Sequence, residues 1–224
     1  MTTIYLIRHG QASIGTANYD VLSTLGKQQS GVLGDHFRQL NITFDGVYSG
    51  TLKRQRDTAT IALKQQKIDP VTVAGFNEYH HTEIYQHYAP RLTSCNAVKH
   101  HNDKLNFEAF ATLMNAWAED ESPKDSQLET FAQFCARIQN GFEEILTHHA
   151  DTDTIAIFTS GGVICTLLQS VLHFPVAKIF EINWGIYNAS ISKIKIHQSE
   201  MKFREYNNIT HLLLQQNNSL ITNI

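Results

Sequence analysis

The chain is short of cysteine and of charge, and each shortage excludes a class of protein. Its 224 residues include three cysteines with no CxxC spacing, so the sequence indicates neither a disulfide framework nor a zinc ribbon. We expect these thiols to be small buried hydrophobes in a reducing compartment. Charged residues make up 17% of the chain, and the net charge is −3. This balance argues against binding to nucleic acid or to an anionic membrane.

Long apolar runs are also missing. The N-terminal apolar segment ends at Arg8, which makes it too short for the core of a signal peptide. The stretch 163–180 is the most apolar part of the later chain, but His173 and Pro175 interrupt it, so we do not interpret it as a membrane span. The sequence therefore predicts a cytoplasmic protein.

Strand-like and helix-like segments alternate along the chain, which predicts an α/β fold with three α/β/α layers and a mostly parallel sheet. The predicted strands are Thr3–Ile7, Asp45–Ser49, Val71–Ala74 and Thr154–Thr159, followed by an edge hairpin of Ser190–Ile196 and Met201–Tyr206. The predicted helices are Leu25–Leu40, Arg54–Gln65, Asn106–Trp117 and Gly162–Leu172.

One further helix is predicted to begin at Ser126, where Ser126-Gln127-Leu128-Glu129 has the pattern of a capping box. Apolar residues then recur at steps of three and four up to Leu146, which indicates a stripe that faces the core. We expect residues 1–224 to form one domain, with 79–125 as a cap above the sheet and the polar stretch 79–104 irregular. The tail 207–224 is either docked or frayed.

Arg8, His9 and Gly10 follow the first predicted strand directly. A guanidinium group is a planar, permanently charged partner for phosphate or carboxylate, and an imidazole can act as a nucleophile near neutral pH. Gly10 allows the backbone to come close to a ligand. This cluster therefore indicates chemistry on an anion.

Other polar residues follow other predicted strands. Ser49 and Arg54 come after the second, Glu78 after the third, and Ser160-Gly161-Gly162 after Thr154–Thr159. Ligands of open α/β sheets bind outside the carboxyl ends of the strands, so we expect these residues to converge there.

Several segments together resemble the histidine phosphatase superfamily, which includes the cofactor-dependent phosphoglycerate mutases. The resemblance implies a phosphoglycerate mutase-like fold. The matching segments occur in the family's order and are Arg8-His9-Gly10-Gln11, Asp20-Val21-Leu22-Ser23-Thr24-Leu25-Gly26, Val47-Tyr48-Ser49-Gly50-Thr51-Leu52-Lys53-Arg54 with Thr58-Ala59, Phe76-Asn77-Glu78, and Asn188-Ala189-Ser190.

The resemblance implies a phosphatase in which His9 is phosphorylated during turnover. Arg8 and Arg54 would hold the phosphoryl oxygens, since phosphoryl transfer depends mainly on positioning and charge neutralisation. Glu78 would donate a proton to the leaving oxygen and then activate water. Gln11 is a further candidate for binding the substrate. Neither a metal nor a cofactor is expected, and the partner is a phosphorylated small molecule.

One residue departs from the family pattern. Ser160 stands where the family usually has a second active-site histidine, and a neutral serine brings no positive charge. Phosphate would then be held by the Ser160 hydroxyl and the amides of Gly161 and Gly162 at the start of a helix. The chain is either a slower phosphatase or a module that binds phosphate esters without turnover. A mutase is a third alternative, which Gly15 disfavours, because mutases have an asparagine close to that position.

Simpler interpretations of these residues stay open. Arg54 could be an exposed helix residue, Glu83 could replace Glu78 as the acid, and Ser160 could serve as a helix N-cap. The histidine doublets are no metal site, because adjacent side chains point in different directions. His80 or His81 could instead replace the missing histidine. A second anionic group of the substrate could meet Arg91, Lys99, His100 or His101, and a homodimer is an open alternative.

Overall fold

A six-stranded sheet forms the centre of the protein in a computed structural model that describes residues 1–13, 19–92, 107–121, 127–198 and 200–223. The strands, in chain order, are β1 (Thr2–Arg8), β2 (Gly46–Ser49), β3 (Val71–Thr72), β4 (Thr154–Thr159), β5 (Ile191–His197) and β6 (Glu200–Asn208). Their order across the sheet is β3-β2-β4-β1-β5-β6. The first four are mutually parallel, and β5 and β6 add an antiparallel edge. The predicted mostly parallel sheet with an edge hairpin is confirmed.

Helices cover both faces of the sheet. On one face lie α1 (Thr24–Gln39) and α2 (Lys53–Ala62). The other face is covered by α3 (His81–Tyr88), α4 (Phe107–Glu119), α5 (Phe131–Leu146), α6 (Gly161–Leu172) and α7 (Ala177–Trp184). A short helix, α8 (Thr210–Leu213), packs beside α1. The expected three-layer α/β/α architecture is therefore confirmed.

The central strands are buried on both sides, so their side chains alternate between two cores. In β1, Ile4 and Leu6 enter the larger core, while Tyr5 and Ile7 enter the smaller core under α1 and α2. Truncating one of the fully buried aliphatic side chains to alanine costs about 2–5 kcal/mol in proteins of this kind. Cys165 is buried in the larger core as expected, whereas Cys135 is only half-buried.

The predicted start of α5 at Ser126 is wrong. The helix begins at Phe131, where the Thr130 hydroxyl accepts a hydrogen bond from the Gln133 amide and the Gln133 side chain accepts one from Thr130 N–H. Residues 127–130 are not helical, and Ser126 lies outside the described residues. The Glu129 carbonyl accepts the indole N–H of Trp117 at 2.8 Å, which keeps this segment on the neighbouring helix. The apolar stripe itself is confirmed.

The expected irregular stretch 79–104 contains a helix, α3, over His81–Tyr88. Its buried residues Ile84 and Tyr88 are four apart, so they lie on one face and pack into the larger core. Polar residues on the remaining faces conceal this short pattern in the sequence. Residues 93–104 lie outside the described part. The helix α7 was also not predicted, and the third strand stops at Thr72 because Ala74–Phe76 form a 3₁₀ turn.

The C-terminal tail is docked up to residue 223. Gln29 of α1 donates its side-chain N–H to the carbonyl of Leu220 at 2.8 Å, and Asn188 N–H donates to the carbonyl of Thr222 at 2.8 Å. The tail therefore joins α1 to the loop that precedes β5. Each helix that the structure describes is too short or too polar to cross a lipid bilayer.

Gly34 is expected to be essential for the contact between α1 and α2. A Cβ atom at this position would lie 2.4 Å from the carbonyl oxygen of Ala62, so the two helices would have to separate. We expect Gly34→Ala to lower the free energy of unfolding by about 1–3 kcal/mol. Urea denaturation would measure this change.

Gly31 is the matched control in the same helix, because a Cβ there meets no atom within 4 Å. Gly31→Ala is expected to stabilise the protein by up to about 1 kcal/mol through helix propensity alone. Equal effects of the two substitutions would contradict this description of the helix contact.

Candidate active site

His9 lies at the carboxyl end of β1 and is held there through its backbone. Its N–H donates to the carbonyl of Thr159 at 2.9 Å, and its own carbonyl accepts from Ala189 N–H at 3.2 Å. The amide of Gly10 donates to the Thr58 hydroxyl at 3.0 Å, and that hydroxyl donates to the carbonyl of Arg54. His9 is thus fixed to β4, to the loop before β5 and, through Gly10, to α2.

The imidazole of His9 is 3% exposed, and both of its nitrogens have partners. Nδ1 is 2.7 Å from the carbonyl oxygen of Gly10, and only an N–H can donate to a carbonyl, so Nδ1 carries the proton. Nε2 then has a free lone pair, which accepts from Nε of Arg54 at 3.2 Å. Burial lowers the pKa of His9 well below its usual range, and the charges of Arg54 and Arg8 lower it further. The ring is therefore held neutral, in the state that a nucleophile requires.

Arg54 stands in the first turn of α2 and is 7% exposed. Besides its bond to His9, its Nη1 donates to Oδ1 of Asp20 at 2.9 Å. The interpretation of Arg54 as an exposed helix residue is wrong, since the side chain is buried against His9.

Tyr19 and His81 continue the site outward from Arg54. The guanidinium carbon of Arg54 lies 5.2 Å from the centre of the Tyr19 ring, close enough for a cation–π contact. His81 meets the same ring edge to face at 5.9 Å. Burial lowers the pKa of His81, and the charge of Arg54 lowers it further. His81 therefore contacts the ring that covers Arg54, and the replacement of the missing histidine by His80 or His81 stays a prediction.

Arg8 has one side-chain nitrogen committed to the protein backbone. Its Nη1 donates to the carbonyl of Ile186 and, at 2.9 Å, to that of Asn223. Its Nε is buried with no hydrogen-bond partner among the described residues. Burial lowers the pKa of Arg8, while the nearby Tyr19 and Glu78 raise it. The C-terminal segment thus holds the guanidinium group in place and leaves Nε available.

Glu78 follows the 3₁₀ turn and lies against the start of α6. Its Oε2 accepts from Gly162 N–H at 2.9 Å, and its Oε1 accepts from Tyr79 N–H at 3.2 Å. Burial raises the pKa of Glu78 despite these bonds and the charges of Arg54 and Arg8. A raised pKa favours the protonated form that a general acid needs. Glu83, the alternative acid, is exposed in the first turn of α3.

The position of Glu78 depends on Arg137, a residue that the sequence did not single out. Its Nη1 donates to the carbonyls of Gly75 and Asn77 at 2.9 and 2.7 Å, on the turn just before Glu78. The Nε and Nη2 atoms of the same guanidinium group form an ion pair with the two carboxylate oxygens of Glu129. Arg137 therefore connects α5 to the turn that presents the acid.

Ser160 occupies the N-cap position of α6, but its side chain does not cap the helix. Its hydroxyl oxygen accepts from Gln55 Nε2 at 2.9 Å and is buried. The Oε1 atom of Gln55 is itself buried without a hydrogen-bond partner among the described residues. The N-cap alternative is thus wrong for the hydroxyl, which faces α2 rather than the first turn of α6.

The other predicted binding residues are already engaged. The amide N–H of Gly162 donates to the carboxyl group of Glu78, and a Cβ atom on Gly162 would lie 2.2 Å from Oε1 of that group. A Cβ on Gly161 would lie 2.0 Å from Oδ1 of Asn183. Gln11 Oε1 accepts from the Ser23 hydroxyl at 2.8 Å, at the start of α1. These contacts show why small residues are needed beside the acid, and they leave the predicted contacts with phosphate as proposals.

The remaining candidates are placed elsewhere or not described. Arg91 is hydrogen-bonded to His87, whereas Gly15, Lys99, His100 and His101 lie outside the described residues.

His149 contacts the Tyr48 hydroxyl and Asp153, so its role is structural. In the described part of the chain, no three histidine, cysteine or acidic side chains are grouped so that they could hold a metal ion.

The arrangement has counterparts in known proteins. The model of the histidine phosphatase superfamily (branch 1) matches residues 4–209. The chain belongs to this superfamily. No curated protein sequence matches the chain.

Solved structures with the same fold include phosphatases and a mutase. YhfR of Bacillus stearothermophilus superposes with a TM-score of 0.69 at 20% identity, over 95% of this chain and 100% of that one. The phosphoglycerate mutase of Bacillus anthracis gives 0.68 at 19% identity, over 96% and 97%. A putative α-ribazole-5′-phosphate phosphatase of Escherichia coli gives 0.66 at 21% identity, over 92% and 96%. At these identities the likeness establishes the fold alone.

The protonation state of His9 can be tested directly. We expect ¹⁵N NMR to show the Nδ1–H tautomer persisting as the pH falls below about 6.5, where an unperturbed histidine is half protonated. Burial and two neighbouring cations disfavour the imidazolium form, so Arg54→Gln is expected to raise the pKa of His9. A doubly protonated His9 near pH 6.5 would contradict this assignment.

Proposed function

We propose that the protein is a phosphatase that hydrolyses a phosphorylated small molecule through a phosphohistidine on His9. The observation that carries this proposal is the state of the imidazole. Nδ1 is committed to the carbonyl of Gly10, and Nε2 keeps a lone pair beside the buried guanidinium group of Arg54. Such a nucleophile, beside two guanidinium groups and a carboxyl whose pKa is raised by burial, suits attack on a phosphate ester.

In the first step, Nε2 of His9 attacks phosphorus, and the bond from phosphorus to the ester oxygen breaks. The Nε–H group of Arg54 exchanges its hydrogen bond to Nε2 of His9 for one to a phosphoryl oxygen. The Nε–H group of Arg8 can donate to a second phosphoryl oxygen. The leaving oxygen takes the proton of Glu78, whose raised pKa keeps that proton available. The proton on Nδ1 stays in place, and the carbonyl of Gly10 stabilises the positive charge on the phosphorylated ring.

In the second step, Glu78, now a carboxylate, removes a proton from water as its oxygen attacks phosphorus. The phosphorus–nitrogen bond breaks, and its electron pair returns to Nε2. Inorganic phosphate leaves, and Glu78 is again protonated. The chain's own residues thus account for every proton of the cycle.

A module that binds phosphate esters without turnover is the second candidate, and Ser160 favours it. The hydroxyl that stands in the place of a histidine is neutral and held by Gln55. Removing one electrostatic contact to the transition state typically costs about 10²–10³ in rate. The two candidates share one site and differ in how fast His9 turns over.

The decisive variant is His9→Ala, which removes the nucleophile. Hydrolysis of an aryl phosphate is expected to disappear, and Arg8→Ala is expected to lower it by about 10²-fold through the lost charge. His197→Ala, an exposed histidine on the edge hairpin, is the matched control and should keep wild-type activity. Full activity in His9→Ala would exclude a phosphohistidine, as would the absence of acid-labile phosphate on the enzyme during turnover.

The loss of rate that serine at position 160 causes, relative to histidine, can be measured with the variant Ser160→His. An imidazolium at this position adds a positive charge near the phosphoryl group, so kcat for an aryl phosphate is expected to rise by about tenfold or more. Ser160→Asn is the control, because it adds a similar bulk beside Gln55 without a charge. An equal response of the two variants would contradict the electrostatic explanation.

A further inference from the structure

The carboxylate of Asp20 binds both the backbone of the first turn of α2 and the side chain of Arg54 in that turn. Its Oδ2 accepts from the backbone N–H of Lys53 at 2.8 Å, and its Oδ1 accepts from the backbone N–H of Arg54 at 3.3 Å. The same Oδ1 accepts from Nη1 of Arg54 at 2.9 Å. Leu52, at the N-cap position, offers no side-chain cap, so the carboxylate of Asp20 caps this helix from outside.

These contacts fix the rotation of the Arg54 guanidinium group. One carboxylate holds both the backbone and Nη1 of the same residue, so the planar group cannot turn without losing a hydrogen bond. Nε lies on the other edge of that plane and therefore points at Nε2 of His9, 3.2 Å away. The ring of Tyr19, next to Asp20 in the chain, covers one face of the guanidinium group.

The value of this ion pair lies in orientation rather than in stability. The Asp20 side chain is 36% exposed, and that of Arg54 is 9% exposed. A pair that solvent reaches on one side contributes little to the free energy of folding. A guanidinium group misplaced by about 1 Å, in contrast, can cost about 10²-fold in rate.

We infer that Asp20 is a positioning residue for phosphoryl transfer. It holds Arg54 so that Nε–H stabilises the lone pair of His9 before the reaction and meets the phosphoryl oxygen during it. The inference rests on the proposed function and extends it to a residue outside the His9, Arg8, Arg54 and Glu78 set. The inference distinguishes two roles of Arg54. Attraction of the anion needs only the charge of the guanidinium group, whereas the chemical step also needs its orientation.

The test is Asp20→Asn, which keeps the shape of the side chain and removes its charge. We expect kcat for an aryl phosphate to fall by about 10- to 100-fold. The inhibition constant of inorganic phosphate should stay unchanged or become lower, because the site gains one net positive charge. Asp57→Asn is the matched control, since it removes a carboxylate that pairs with Lys53 one turn along the same helix. That variant should behave as the wild type.

A second measurement does not require turnover. Solvent exchange of the Arg54 Nε–H, observed by ¹⁵N NMR, is expected to be faster in Asp20→Asn and unchanged in Asp57→Asn. Wild-type kcat and exchange in Asp20→Asn would overturn the inference, as would an equal loss of kcat and of phosphate binding. If the wild-type protein binds phosphate without turnover, the proposed function fails, and the exchange rate still decides the role of Asp20.

Discussion

The hydrogen bond between Nδ1 of His9 and the carbonyl of Gly10 sets the tautomer of the imidazole at the centre of the candidate site. It places the proton on the nitrogen that faces the backbone and leaves a lone pair on the other nitrogen. The neighbouring residues then act on a group whose state is already set. Gly10 passes so close to Gly26 of α1 that a Cβ on Gly10 would lie 2.4 Å from the backbone oxygen of Gly26.

The guanidinium groups of Arg54 and Arg8 place two positive charges next to the buried imidazole of His9. Burying unpaired charges is costly, and the structure offsets this cost differently for each arginine. Arg54 is paired with the carboxylate of Asp20, whereas Arg8 is solvated by the carbonyls of Ile186 and Asn223. Neither solution neutralises the site completely. The remaining positive charge lowers the pKa of His9, and it is also the charge that would attract a phosphate ester.

Much of the site follows from the sequence because parallel strands end at one edge of a sheet. Arg8 ends β1, while His9, Glu78 and Ser160 each follow a strand or the turn after one, and this topology brings them together. The start of α5 was misplaced because two S/T-x-x-E/Q patterns occur within eight residues, and only contacts with Trp117 and Arg137 select between them. Gln55 and Arg137 act on partners distant in the chain, and no local pattern distinguishes them from surface residues. Asp20 is the first residue of the matching segment Asp20–Gly26, but no pattern in the sequence indicates its contact with Arg54.

The docked segment 218–223 has a consequence for how the protein folds. Leu220 and Asn223 contact Gln29 and Arg8, which lie 191 and 215 residues earlier in the sequence. β1 likewise pairs with β4 and β5, both from the last third of the sequence. The surroundings of Arg8 are therefore complete only when segments far apart in the sequence have come together. Contacts this far apart in sequence predict slow folding relative to helical proteins of similar size, because long loops must close before Arg8 acquires its partners.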